Sequence, residues 1–111
     1  MEGATEEENY IILLDKLADL VIRRAVGYSI EIHDSLFPKS IMPFVDRILE
    51  SLPIELVEFD GTVYKCRLCG RGPFTRKGLY LHLKRVHVDQ ITIMIRDELD
   101  HYIWQLKNFR P

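Results

Sequence analysis

The sequence is poor in cysteine, with two in 111 residues, and it has no apolar run of membrane length. Its longest apolar stretch, Ile11 to Ile22, is broken by Asp15, Lys16 and Asp19, well short of the roughly 20 apolar residues that a spanning helix needs. The first ten residues, MEGATEEENY, are acidic where a secretory signal would be basic. Two cysteines so close together have a better use than a disulfide, which argues against a disulfide-built secreted scaffold. These absences together lead to the expectation of an intracellular protein, cytoplasmic or nuclear, with no membrane partner. Internal repeats and low-complexity segments are also lacking. Apolar residues make up 47% and charged residues 29%, the composition of a folded chain rather than a disordered one. Such a length allows one compact domain, or a small core with a module attached.

A further absence is local. From Gly61 to Val88 there is no acidic residue, while seven bases stand there: Lys65, Arg67, Arg71, Arg76, Lys77, Lys84 and Arg85. Residues 1–60 hold 13 acids against 5 bases, and residues 89–111 hold 4 acids against 3 bases. The net charge of −2 therefore conceals a basic centre between an acidic segment and a nearly neutral one. Charge sorted in this way points to contact with a polyanion. The alternative is a solvated basic segment that pairs with the acidic N-terminal part.

Hydrophobic spacing outlines the rest. Thr5-Glu6-Glu7-Glu8 has the form of a capping box. Tyr10, Leu13, Leu14, Leu17, Leu20, Val21 and Val26 recur at helical spacing, so a helix is expected to about Val26, with Gly27 as its stop. Tyr28 to Ile32 alternates, which predicts a short strand. Ser40 can cap a second helix with Pro43 in its first turn, and Pro53 ends it. From Ile54 the period changes to two, and Asp60-Gly61 before Thr62-Val63-Tyr64 is a hairpin signal. After residue 88, Ile91, Ile95, Leu99, Tyr102, Leu106 and Phe109 continue a helical stripe. That last helix is expected to open at Asp89 or to run on from a preceding one with a bend near Val88.

Within the basic centre, Cys66 and Cys69 are followed after twelve residues by His82 and then His87, the spacing C-x2-C-x12-H-x4-H. Two cysteines three apart on a tight turn aim both sulfurs at one point. Two histidines five apart converge where a helix loosens in its last turn. Two thiolates and two imidazoles are the ligand set of one tetrahedral structural zinc ion, and in so small a unit the metal supplies an apparent folding free energy of about 10–16 kcal/mol. Across residues 64–87 the sequence resembles the two-cysteine, two-histidine (C2H2) zinc-finger family. The apolar positions of that family fall on Tyr64, Phe74 and Leu79, with Phe74 one residue late, so the second strand is expected to be bulged or shifted. A closed four-ligand site leaves no open position for catalysis. No catalytic residue is expected, and His33 and His101 are read as ordinary surface or core histidines.

The expected fold class is α+β. An acidic helical domain (residues 1–60) is joined by a β-hairpin to a single ββα finger (61–88), followed by a C-terminal amphipathic helix (89–111). The hairpin predicts a rigid junction rather than a floppy linker. The resemblance implies a helix that reads bases from Thr75, Gly78 and Leu81. Gly78 and Leu81 cannot hydrogen-bond a base edge, so sequence reading is weak. Lys65, Arg67, Arg71, Thr75, Arg76, Lys77, Lys84 and Arg85 are the candidate nucleic-acid contacts. The reading is a small zinc-dependent nucleic-acid-binding protein, DNA favoured over RNA and a transcriptional regulator by function. Its amphipathic helices could pair two copies as a homodimer. A protein-interaction adaptor and an RNA- or ribosome-associated factor are the alternatives. Tyr80, Leu81, Leu83 and Val86 add apolar surface to the finger helix, for packing on the N-terminal helices or for a protein partner.

Overall fold

Residues 6–32 and 37–108 are described in the computed structural model of the chain. The expected capping box, which depends on Thr5, and His33 lie outside them. The first helix, α1, spans Glu6–Ala25. It buries Leu14, Leu17, Ala18, Val21 and Ile22, positions three and four apart that share one helix face. The stop at Gly27 is the expected one. Gly27 has φ +89°, its N–H donates to Arg24 O at 3.1 Å, and the Tyr28 N–H donates to Arg23 O at 2.9 Å. That pair of bonds satisfies two end carbonyls and defines a Schellman motif, which needs a left-handed residue at the glycine.

Tyr28 to Ile32 does not form the expected strand. Tyr28, Ile30 and Ile32 are half-buried and Ser29 and Glu31 exposed, so the alternation is real, but no strand among the described residues pairs with it. A 3-10 turn at Lys39–Ile41 leads into α2, Met42–Ser51. Ser40 lies inside that turn and does not cap the helix; Ile41 takes the cap position without a side-chain bond. Pro43 is in the first turn as expected, where its missing N–H costs nothing. Pro53 ends the helix by opening a second 3-10 turn, Pro53–Glu55, which leaves Ile54 exposed rather than in a strand.

Two strands follow, β1 at Val57–Phe59 and β2 at Tyr64–Cys66, antiparallel with Val57 opposite Cys66 and Phe59 opposite Tyr64. Asp60 and Gly61 are in the connection as expected, but it is longer than two residues and includes Thr62 and Val63. Asp60 Oδ1 accepts from the Thr62 N–H at 2.8 Å and the Val63 N–H at 2.9 Å, closing the loop over Gly61 at φ +96°. The outer edge of β2 meets no full strand: Tyr64 and Phe74 exchange N–H···O bonds of 2.9 and 2.7 Å, and the Cys66 N–H donates to Arg71 O at 2.8 Å. The shifted second strand is thus reduced to one bridge.

Helix α3, Arg76–Val86, and helix α4, Val88–Asn108, are separated by His87 alone, with Asp89 in the first turn of α4. Buried residues from all four helices and from β2 form one cluster, including Leu17 and Val21 of α1, Ile48 of α2, Leu56, Tyr64, Leu79 and Leu83, and Ile91, Ile95 and Leu99 of α4, with the half-buried Val57 of β1 packed against it. The hairpin and α3 therefore share their core with the long helices and are not tethered beside them. Among the described residues, no helix is long and apolar enough to cross a membrane. A mixed α+β architecture of four helices and a small hairpin is what these residues form.

Candidate metal centre and basic surface

Each of the four ligand candidates is positioned by a different local device. Cys66 is the last residue of β2, paired with Val57 and 1% exposed. Behind it the chain turns sharply: the Gly70 N–H donates to Cys66 O at 2.8 Å with Gly70 at φ +78°, and Cys69 sits exposed on this turn. The Arg67 N–H donates to Leu56 O at 2.9 Å, which ties the turn to the segment before β1. His82 projects from α3 and stacks on Phe74, with ring centroids 4.8 Å apart. His87 occupies the break between α3 and α4, with φ −116° and ψ 7°.

These four side chains come together. One ligand atom from each of Cys66, Cys69, His82 and His87 lies within 4.8 Å of the others. Cys69 Sγ and His82 Nε2 are 3.3 Å apart. A tetrahedral ion bound at about 2.0–2.3 Å requires ligand separations of roughly 3.3–3.8 Å, so a small closure brings all four into range. The histidines are prepared for that role. His87 Nδ1 lies 3.2 Å from Gln90 Oε1; the amide oxygen can only accept, which puts the ring proton on Nδ1. His87 Nε2 is then a lone-pair nitrogen, buried and without a hydrogen-bond partner. A buried acceptor left alone costs about 1–3 kcal/mol, and a metal ion in the cluster would remove that cost. Burial, with His87 and Arg71 nearby, lowers the His82 pKa and so favours its neutral imidazole. Burial pushes the Cys66 thiol up, the adjacent Cys69 adds to this, and the Cys69 and Leu68 amides oppose it. A cation is the natural way to hold such a pair of sulfurs as thiolates.

The predicted nucleic-acid contacts divide into two groups. Thr75, Arg76 and Lys84 are engaged within the chain. Thr75 caps α3, its hydroxyl accepting the Gly78 N–H at 3.0 Å. Arg76 Nε donates to Tyr64 Oη at 3.3 Å, and its guanidinium lies 5.7 Å from the Tyr28 ring. Lys84 Nζ donates to Asp19 Oδ1 at 3.2 Å. By contrast Lys65, Arg67, Arg71, Lys77 and Arg85 are exposed, and none forms an ion pair among the described residues. Gly78 and Leu81 are half-buried on the α3 face that carries Lys77.

The apolar residues of α3 largely serve the chain's own core. Leu83 is fully buried, and Tyr80 packs on α1, meeting Tyr28 edge-on at 5.9 Å. Val86 stays 58% exposed. Two functional neighbours were not foreseen from the sequence. Asp19 of α1 accepts from Arg23 at 2.8 Å and from Tyr80 at 2.7 Å as well as from Lys84, fastening α3 to α1. Gln90, three residues beyond His87, meets the ring of that ligand candidate. Only its helical spacing from His87 could have signalled it. Comparison of the chain with family models, curated proteins and solved structures finds no match.

Proposed function

We propose that this chain binds one structural zinc ion through Cys66, Cys69, His82 and His87, and acts as a small nucleic-acid-binding protein. A two-thiolate, two-imidazole tetrahedron suits zinc. The observation that carries the reading is the convergence of one ligand atom from each of the four side chains, with His87 Nε2 buried and left without a hydrogen-bond partner. The resemblance of residues 64–87 to C2H2 zinc fingers supports the same ion. Bound there, it would be closed off by four protein ligands and would supply folding energy rather than catalysis.

The target we favour is duplex DNA, with regulation of transcription as the role. Lys65, Arg67, Arg71, Lys77 and Arg85 are free to meet phosphates, whereas Gly78 and Leu81 offer base edges little. One unit of this size buries only about 600–1,000 Å² on DNA, so a specific site calls for a second copy or added basic elements. Gel-shift titration of the zinc-loaded chain on duplex DNA over a salt series tests this. Each phosphate contact contributes about −0.9 to the log–log salt slope, so five free cations set a limit of about −4.5 per chain. Absence of binding to any duplex at low salt refutes it. A protein-interaction adaptor is the second reading, favoured by Trp104 and Leu106 of α4, which are 61% and 68% exposed.

A further inference from the structure

We infer that Gln90 is a positioning residue of the metal centre, selecting the His87 ring nitrogen that is free to bind the ion. The inference rests on the zinc reading and extends it to a residue outside the ligand pattern. His87 joins two helices: its N–H donates to Leu83 O of α3 at 3.1 Å, and its carbonyl accepts the Ile91 N–H of α4 at 2.9 Å. The backbone on both sides is thereby held; the ring lies edge-on to His82 at 5.0 Å, and one side chain hydrogen-bonds it. That contact is Gln90 Oε1, 3.2 Å from Nδ1.

A neutral imidazole carries its single proton on either nitrogen, and only the deprotonated one can ligate. The hydrogen bond made by one nitrogen decides the state of the other. By accepting from Nδ1–H, Gln90 reserves the lone pair of Nε2, the atom that is buried and unpartnered. It also makes the ring a better donor to the ion. Gln90 itself is exposed on the first turn of α4, so it fills no core space and its replacement opens no cavity. Any effect on metal affinity would therefore come through His87. One further consequence is that ion binding and the start of α4 are linked through a single side chain.

The experiment measures zinc affinity of the full chain by competition with a chromogenic chelator, for the wild type, Gln90→Leu and Gln90→Glu. Leucine keeps the size and helix preference but cannot accept a hydrogen bond. Glutamate accepts more strongly. We expect Gln90→Leu to bind zinc about 10–100-fold more weakly, as for other partners of ligating histidines, and Gln90→Glu to match or exceed the wild type. Helix content of the metal-free chain should be the same in all three by circular dichroism. Wild-type affinity in Gln90→Leu overturns the assignment, as does an equal loss in both variants, which would mark a structural role. Failure of the wild-type chain itself to take up zinc is a distinct result: it removes the metal reading and this assignment with it.

Discussion

Replacing Leu83 by Ala tests whether the finger helix and the long helices are one structure. Leu83 is fully buried, and it belongs to a cluster that also holds Leu17, Val21, Ile91 and Ile95. The substitution removes three carbons, a transfer loss of about 2.4 kcal/mol at roughly 0.8 kcal/mol per buried carbon. The cavity left behind adds to this, and measured Leu→Ala changes of this kind run from about 2.7 to 5.0 kcal/mol. A loss of about 3 kcal/mol in a chain of this length lowers the melting temperature by on the order of 10–20 °C. The assay is urea unfolding of the zinc-loaded protein, followed by circular dichroism and by fluorescence of the single tryptophan, Trp104 of α4. Because the core is shared, both signals should move together to lower urea. A loss under about 1 kcal/mol, or a Trp104 transition unmoved while α3 unfolds early, would refute the shared core.

Two other outcomes follow from the surface. Burial alone would raise the Asp19 carboxyl, but the bonds from Arg23, Tyr80 and Lys84 outweigh it and hold its pKa below the usual carboxylate value. A depressed folded-state value stabilises above the ordinary aspartate range near pH 4 and is lost as the pH falls through the folded value. Asp19→Asn should therefore cost about 1–2 kcal/mol at pH 7 and flatten the acid limb of a stability–pH profile; an unchanged limb would contradict the role of Asp19. Charge reversal at Lys77 and Arg85 should weaken duplex binding and lower the salt slope by about 2, with the thermal midpoint unchanged. An unaltered slope would mean that the phosphate contacts lie elsewhere, and loss of partner capture with the fold intact would count against the adaptor.

The parts of this fold that were legible in the sequence are those decided locally. The ligand spacing needs only a turn and a loosened helix end. The Leu14, Leu17 and Val21 stripe and Gly27 follow from helix geometry, and Asp60-Gly61 from loop chemistry. What sequence reading missed depends on partners far along the chain. Tyr28 to Ile32 alternates because one side leans on the core, yet a strand also needs a neighbour to bond, and none is there among the described residues. Ile54 follows the two-residue period but is turned outward by the 3-10 turn that Pro53 begins. The tie of Asp19 to Tyr80 and Lys84 spans more than sixty residues and leaves no local pattern. It converts Lys84 from an expected phosphate contact into part of the α1–α3 junction. Tyr80 and Leu83 turn inward onto the N-terminal helix, the packing alternative that the sequence offered for them.

The metal centre is the claim on which the rest stands, and stoichiometric titration of the purified chain with zinc, followed by chelation, tests it most directly. One ion per chain is expected, with cobalt in its place giving the visible absorption of a tetrahedral two-sulfur, two-nitrogen site. Chelator, or Cys69→Ser, should then collapse the NMR shift dispersion of residues 62–87 toward unfolded positions and, because the core is shared, lower the Trp104 unfolding midpoint with it. A chain that takes up no zinc, or whose NMR and circular-dichroism spectra are identical with and without chelator, would contradict the account.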